Sequence, residues 1–180
     1  MYVISILDTT IRIAQRDLCA IRWTAQILEE AQRNLIANRG DEERIRSRFR
    51  ALRENFEEYE ITGYEVLVHS MTCDQKDRHV LAAAIRGGAS QIVTSNVRDF
   101  PQESVVDYDI EIVTPDDFLT NVLHAHPAEV AAVLREQAHA LKRPEMTVDE
   151  LLATLARHGV PNFAAEAETV IKATTPVQRD

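Results

Sequence analysis

Cysteine is nearly absent. Cys19 and Cys73 are the only two in 180 residues, too few for a disulfide scaffold and without the close spacing of a zinc knuckle, so both read as buried thiols. Glycine is scarce as well, and no glycine-rich phosphate loop follows any strand candidate, which argues against a nucleotide-binding module. No stretch approaches the roughly 20 apolar residues of a membrane span, and the N-terminus lacks the charged region of a signal peptide, so the expected location is cytoplasmic with no membrane partner. Positive charge is also short: 20 Lys and Arg against 29 Asp and Glu leave a net charge of -9, which opposes bulk attraction to DNA or anionic lipid. It does not exclude a nucleic-acid enzyme, because a metal-dependent site is itself a cluster of carboxylates. Lysine contributes only 3 of the 20 bases; this excess of Arg suits phosphate recognition, although codon bias of a GC-rich genome explains it as simply.

What is present is an ordinary globular composition, 45% hydrophobic and 27% charged, in a length that suits one domain or one domain with a small extension. Tyr2–Leu7 has the look of a short strand. Asp8, Thr9 and Thr10 then offer an N-cap for a helix with Ile11, Ala14 and Leu18 on one face. After a short extended stretch from Ala20 to Trp23, Thr24 can cap a second helix with Ile27, Leu28, Ala31 and Leu35 as its stripe, stopped by Asn38, Arg39 and Gly40. A charged helix follows from Asp41 to Glu60, with Ile45, Phe49, Leu52 and Phe56 as a single apolar seam. Tyr64–Val68 reads as a strand, Val80–Arg86 as an Ala-rich helix closed by Gly87 and Gly88, Gln91–Thr94 as a strand buried on both faces, Ile110–Val113 as another strand and Asp116–Leu123 as a helix. Strands alternating with helices predict a parallel sheet in an α/β fold. Beyond His126 only helices are expected: Ala128–Leu141, Thr147–Arg157 with Thr147 and Glu150 at capping-box spacing, and Asn162–Ala173, followed by a fraying tail. Residues 1–126 hold 21 of the acids and 14 of the bases, so the acidity belongs to the α/β part.

Three places could carry chemistry. On a helical wheel Glu30 lies at the edge of the apolar stripe while Glu29 points away, which makes Glu30 the half-buried carboxylate. Asp77 shares a face with Val80, Leu81 and Ala84, where an acid has no packing reason to be; an N-cap role explains it equally well. Ser95, Asn96, Arg98 and Asp99 follow a buried strand, at the end of the sheet where ligands bind in α/β folds, although a solvated loop has the same composition. Carboxylates converging at about 4 Å repel by roughly 4 kcal/mol at an effective dielectric of 20. A site that gathered them would be stable only with protons or cations; Mg²⁺ or Mn²⁺ is the usual solution, and with such ions the implied chemistry is phosphodiester hydrolysis.

The run DQKDRHVLAAAIRGGASQIVTSNVRDFP, from Asp74 to Pro101, resembles the signature of PIN-domain ribonucleases, in the branch with an Asn two residues after the strand-end Thr. RWTAQILEEAQRNL, from Arg22 to Leu35, is similar to the second acidic motif of that family, and the likeness continues through VTPDDFL into C-terminal helices like those of VapC-type toxins. It covers essentially the whole chain. The resemblance implies a PIN-like parallel β-sheet flanked by helices over residues 1–126 and an all-helical extension over 127–180. It also implies an Mg²⁺- or Mn²⁺-dependent endoribonuclease whose partners are an RNA substrate and a cognate antitoxin. Carried over residue by residue, Glu30, Asp77 and Asp99 would hold the metal, and Asn96 would bind water or phosphate.

In one respect the chain departs from the pattern. The family opens with a strand ending in an Asp, and the register preferred here places that Asp and its strand just upstream of Met1; a rival register uses Asp8. The preferred register implies weak or no activity, and with it the alternative of an impaired remnant that still binds antitoxin or RNA. Among the remaining features, Arg46, Arg50 and Arg53 fall among Glu42, Glu43, Glu54 and Glu57 as a salt-bridged face, while Arg78 and Arg98 are better placed for phosphate. His124 and His126 read as linker residues, and His79 as a general base or a core histidine. The seam of the charged helix serves the chain's own core by default, with homodimerisation as the other use.

Overall fold

The structure, a computed structural model, describes residues 4–37, 41–141 and 145–174. The expected stop at Asn38–Gly40, Tyr2 and Val3 of the expected first strand, and the tail beyond 174 lie outside these residues. In chain order the elements are α1 (Ile4–Ala14), α2 (Ala25–Ala37), α3 (Glu42–Asn55), α4 (Glu65–Val68), α5 (Arg78–Arg86), β1 (Gln91–Val93), β2 (Glu111–Val113), α6 (Pro115–Ala125), α7 (Pro127–Ala140), α8 (Val148–Arg157) and α9 (Pro161–Ala173), with several single 3-10 turns. None of the described helices is long and apolar enough to cross a membrane.

The chain divides into two compact units. Among the described residues one comprises 21–114 and the other joins 4–20 to 115–174. The expected boundary at 126/127 thus differs from this division: α6 groups with the helices that follow it, and so does the N-terminal helix α1.

In the first unit, Thr24 accepts the Ile27 N–H and starts α2, and Asp41 accepts the Arg44 N–H and starts α3. Both acceptors satisfy donors that a helix N-terminus leaves unpaired. Ile45, Phe49, Leu52 and Phe56 are all buried, and α2 packs against α3, so the seam is used within the unit. Arg46 pairs with Glu42 one turn away, as expected of a solvated face. Helix α3 ends at Asn55 rather than Glu60, because a 3-10 turn at Glu57–Tyr59 redirects the chain. That turn lets Trp23 pair with Glu60 in an isolated parallel bridge.

The expected parallel pairing is present. β1 and β2 run parallel, with Gln91 opposite Glu111, Ile92 opposite Ile112 and Val93 opposite Val113. The crossover between them is made of 3-10 turns instead of an α-helix. Two expectations fail in this unit. Tyr64–Val68 is not a strand: Tyr64 is buried, Val66 is 80% exposed, and Leu67 and Val68 are partly buried again, a spacing of three to four that a helical turn satisfies and a two-residue repeat does not. β1 is not covered on both faces either, since Ile92 is buried while Val93 is 43% exposed. The core of this unit gathers Leu81–Ala84 of α5 with Ile92, Phe100, Val105 and Ile110. Gly87 closes α5 where a Cβ would stand 2.4 Å from Cδ1 of Ile61, so only glycine allows this approach, and Gly88 takes φ +61 to turn the chain.

In the second unit the expected N-terminal strand is, from Ile4 onward, the first turn of α1. Its β-branched residues favour strand by only a few tenths of a kcal/mol each. Ile6, Thr9 and Ile13 recur at helical spacing, and burial of that stripe outweighs the propensity. Thr9 and Thr10 do not cap the helix; their hydroxyls donate to the Ser5 and Ile6 carbonyls one turn back. Thr9 also bonds Gln137 of α7, whose amide reaches the Ser5 carbonyl. The capping box at Thr147 and Glu150 forms as the spacing predicts.

Helix α9 shows a cap that no local pattern announces. Val160, at its N-cap position, offers no side-chain acceptor, and the buried Asp116 of α6 instead accepts the N–H groups of Asn162 and Phe163 at 3.1 and 2.9 Å. Replacing a capping carboxylate typically costs about 0.5–2 kcal/mol. Asp116→Ala should fall at the upper end of that range, measured as a lowered urea midpoint with unchanged m-value, because two N–H groups, one of them buried, lose their acceptor.

Candidate active site

Two short turns build the centre. After β1, the Thr94 hydroxyl accepts the Asn96 N–H at 3.0 Å and the Asn96 carbonyl accepts the Asp99 N–H at 3.0 Å, closing a 3-10 turn over Val97–Asp99. Ahead of α5, Asp74 caps a second turn over Gln75–Asp77 through the Lys76 N–H. The Asp74 N–H donates to the Asp99 carbonyl at 3.0 Å, which staples the two turns together. This backbone arrangement brings Asp77 and Asp99, 22 positions apart in the chain, close enough for the one Lys76 ammonium to reach both carboxylates.

Asp77 stands at the N-cap position of α5, yet its carboxylate makes no capping hydrogen bond. The N-cap explanation of this residue is therefore not what the side chain does. The side chain is 19% exposed, and Oδ2 is buried without a hydrogen-bond partner. Burial first, and then the neighbouring Asp99 charge, push the Asp77 carboxyl above the usual carboxylate range, while Lys76 works in the opposite direction. The Lys76 ammonium lies 2.9 Å from Asp99 Oδ2 and 3.9 Å from Asp77 Oδ2. Such a paired, under-bonded set of carboxylate oxygens suits a hard cation with oxygen ligands.

Glu30 is half-buried and Glu29 exposed, in line with the helical wheel. Its two oxygens are held by side chains of its own unit. Gln26 Nε2 donates to Glu30 Oε1 at 3.0 Å, Gln26 Oε1 in turn accepts from the Tyr64 hydroxyl, and His79 Nε2 lies 3.2 Å from Glu30 Oε2. The His79 ring is buried, and its Nε2 is within ion-pair distance of Glu30 without meeting the angle of a hydrogen bond. Among the described residues no three Asp, Glu, His or Cys side chains converge closely enough to hold a metal. The structure thus brings Asp77 and Asp99 together and leaves Glu30 outside that pair, attached to α5 through His79.

The other candidates fall into place around this centre. The Asn96 side chain is exposed beside the Asp99 turn, and Arg98 is exposed on the same turn. Arg78 is half-buried with Nε directed to the Cys73 carbonyl at 3.4 Å. Asp8 belongs to the second unit, where it is buried and paired with Arg12. His124 contacts Glu166, and His126 occupies the N-cap position of α7. The buried ring of His79 agrees with the core-histidine alternative, and it faces Glu30. Lys76 is the residue of the site that the sequence reading misses, although a lysine flanked by acids in DQKD is itself a signal of charge pairing.

Comparison with known proteins agrees with the likeness carried by these motifs. The VapC50 C-terminal domain family matches residues 115–169, beginning where the second unit resumes at Pro115. A protein of Mycobacterium tuberculosis (strain ATCC 25618 / H37Rv) named "Putative ribonuclease VapC50" is 39% identical over 114 residues, which cover 63% of this chain and 67% of that protein. No solved structure matches. The extent of that identity and the match over the C-terminal helices show that this chain belongs to the VapC-type PIN-domain ribonuclease family, in the branch with a C-terminal helical extension.

Proposed function

We propose that this chain is a divalent-metal-dependent endoribonuclease acting as the toxin of a toxin–antitoxin pair, with a PIN-like nuclease fold in its first unit. The observation that carries the reading is the Asp77–Asp99 pair: two carboxylates stapled side by side at the end of a parallel strand, one with a buried oxygen that lacks a hydrogen bond. Asp77 and Asp99 would hold Mg²⁺ or Mn²⁺, with Glu30 as the third carboxylate. Bound there, the ion supplies an acidified water and neutralises charge on the transferring phosphoryl group.

The residues of the chain account for the rest. Asn96 presents an exposed carboxamide that can orient a water or a phosphate oxygen, and the Arg98 guanidinium can take an adjacent backbone phosphate. Gln26 donates to one oxygen of the Glu30 carboxylate, and His79 Nε2 stands 3.2 Å from the other. Attack by water on phosphorus breaks the bond to the 3′ oxygen, and the leaving oxygen takes up a proton. The products are a 5′-phosphate and a 3′-hydroxyl. A cognate antitoxin would restrain this activity.

The test is incubation of the purified chain with structured RNA in Mn²⁺, in Mg²⁺ and in EDTA, with analysis of the new ends. Cleavage in either metal, absence of cleavage in EDTA and 5′-phosphate ends are expected. Glu30→Gln should reduce the rate by about 10- to 100-fold, the range seen when a group supporting a metal site is lost. One observation favours a second reading, binding of RNA or antitoxin without cleavage: Glu30 is occupied by Gln26 and His79 and stands outside the acid pair. Retained binding with no cleavage at any metal concentration would establish it.

A further inference from the structure

Lys76 has no place in the reading above, yet its ammonium touches both members of the acid pair. It lies 2.9 Å from Asp99 Oδ2 and 3.9 Å from Asp77 Oδ2, the oxygen that has no hydrogen-bond partner. Its backbone cannot drift, because its N–H donates to Asp74 Oδ1 within a turn that Asp74 also ties to Asp99. Its side chain can move: it is 64% exposed, and so it can leave the carboxylates for water at little cost. The nearby Arg78 is no substitute, since its Nε is directed to the Cys73 carbonyl.

We propose that Lys76 is a resident counter-cation of the acid pair, which competes with the divalent ion for Asp77 and Asp99 and so sets the metal concentration at which the site fills. The proposal rests on the metal-binding reading of these two residues. Two carboxylates that share one ammonium repel each other unless a cation or a proton stands between them. A tethered ammonium supplies that charge in the metal-free protein, helps keep the two turns together, and must withdraw before a divalent ion can reach the same oxygens. Lys76 acts here through occupancy of the site and takes no part in bond breaking.

The experiment measures Mn²⁺ binding by calorimetry on the full chain, without RNA. Lys76→Met should tighten binding roughly three- to five-fold, the affinity equivalent of an exposed ion pair at the strong end of its range. Lys76→Arg, which keeps a competing cation, should remain within about two-fold of the parent on the same scale. In EDTA, Lys76→Met should melt below the parent, and Mn²⁺ should raise its melting temperature by more than it raises that of the parent. Unchanged or weaker Mn²⁺ binding by Lys76→Met, in a protein whose binding is abolished by Asp99→Asn, overturns the counter-cation role and leaves the metal reading standing. Absence of any Asp99-dependent Mn²⁺ binding in both parent and Lys76→Met overturns both.

Discussion

Asp77→Asn should abolish RNA cleavage while making the protein more stable at neutral pH. The two effects have one origin. The carboxylate of Asp77 is mostly buried, lies against Asp99 and leaves one oxygen without a hydrogen bond, so its charge is costly to the folded chain and valuable to a cation. Asn has nearly the same shape and no charge. The loss of activity should be at least about 100-fold, the upper end of what losing a mere supporting partner of a metal ligand costs. For stability the sign follows from linkage. The folded-state pKa of Asp77 lies above its ordinary value of 3.8, so the folded chain holds that proton more tightly than the unfolded chain does. The associated stability is fully present below the ordinary value and is lost as pH rises through the raised one. The gap in melting temperature between the Asn variant and the parent should therefore open from acid to neutral pH in EDTA, and close when Mn²⁺ is added to the parent. A variant that melts below the parent at pH 7 in EDTA would show that the carboxylate stabilises the fold, contrary to this account.

Phe163→Ala should unfold the second unit far more readily than any surface change. Phe163 is fully buried in the cluster formed by α1 and α6–α9, with Leu119, Leu134, Leu151 and Leu155 also fully buried. Truncating such a ring typically costs about 3–5 kcal/mol, through lost transfer free energy and a cavity that neighbouring helices fill only in part. Domains have only about 5–15 kcal/mol in total, so the change removes a large share of it. Urea unfolding followed by circular dichroism should show the loss as a lower midpoint. Phe163→Leu keeps most of the volume and should recover more than half of it.

Glu30 and Glu29 were told apart by a helical wheel because their difference is a local angle about one axis, and the charged helix with its seam was legible for the same reason. The capping box at Thr147 was legible because it closes within three residues. By contrast, Tyr2–Leu7, described from Ile4 onward, and Tyr64–Val68 read as strands because short apolar runs have no period long enough to tell strand from helix. What settled them was burial: Ile13 and Thr9 in α1, Tyr64 before α4. The cap that Asp116 gives to α9 spans 46 positions and leaves no trace in neighbouring residues. Lys76 and His79 were visible as residues and invisible as partners, since a side-chain contact depends on rotamers that no spacing rule sets.

The amino-acid sequence by itself carried the family to which the chain belongs, because the motifs at Arg22–Leu35 and Asp74–Pro101 are a one-dimensional pattern. The two runs Gln91–Thr94 and Ile110–Val113 were also legible as strands of a parallel sheet, while their direct pairing is a fact of the structure. Only the tertiary structure decided that Asp77 and Asp99 form a pair bridged by a lysine, that Glu30 is held apart by Gln26 and His79, and that α1 belongs with the C-terminal helices. Contacts between residues distant in the chain are set by burial and by backbone hydrogen bonds such as Asp74 to Asp99, which sum over the whole fold and are written in no single segment.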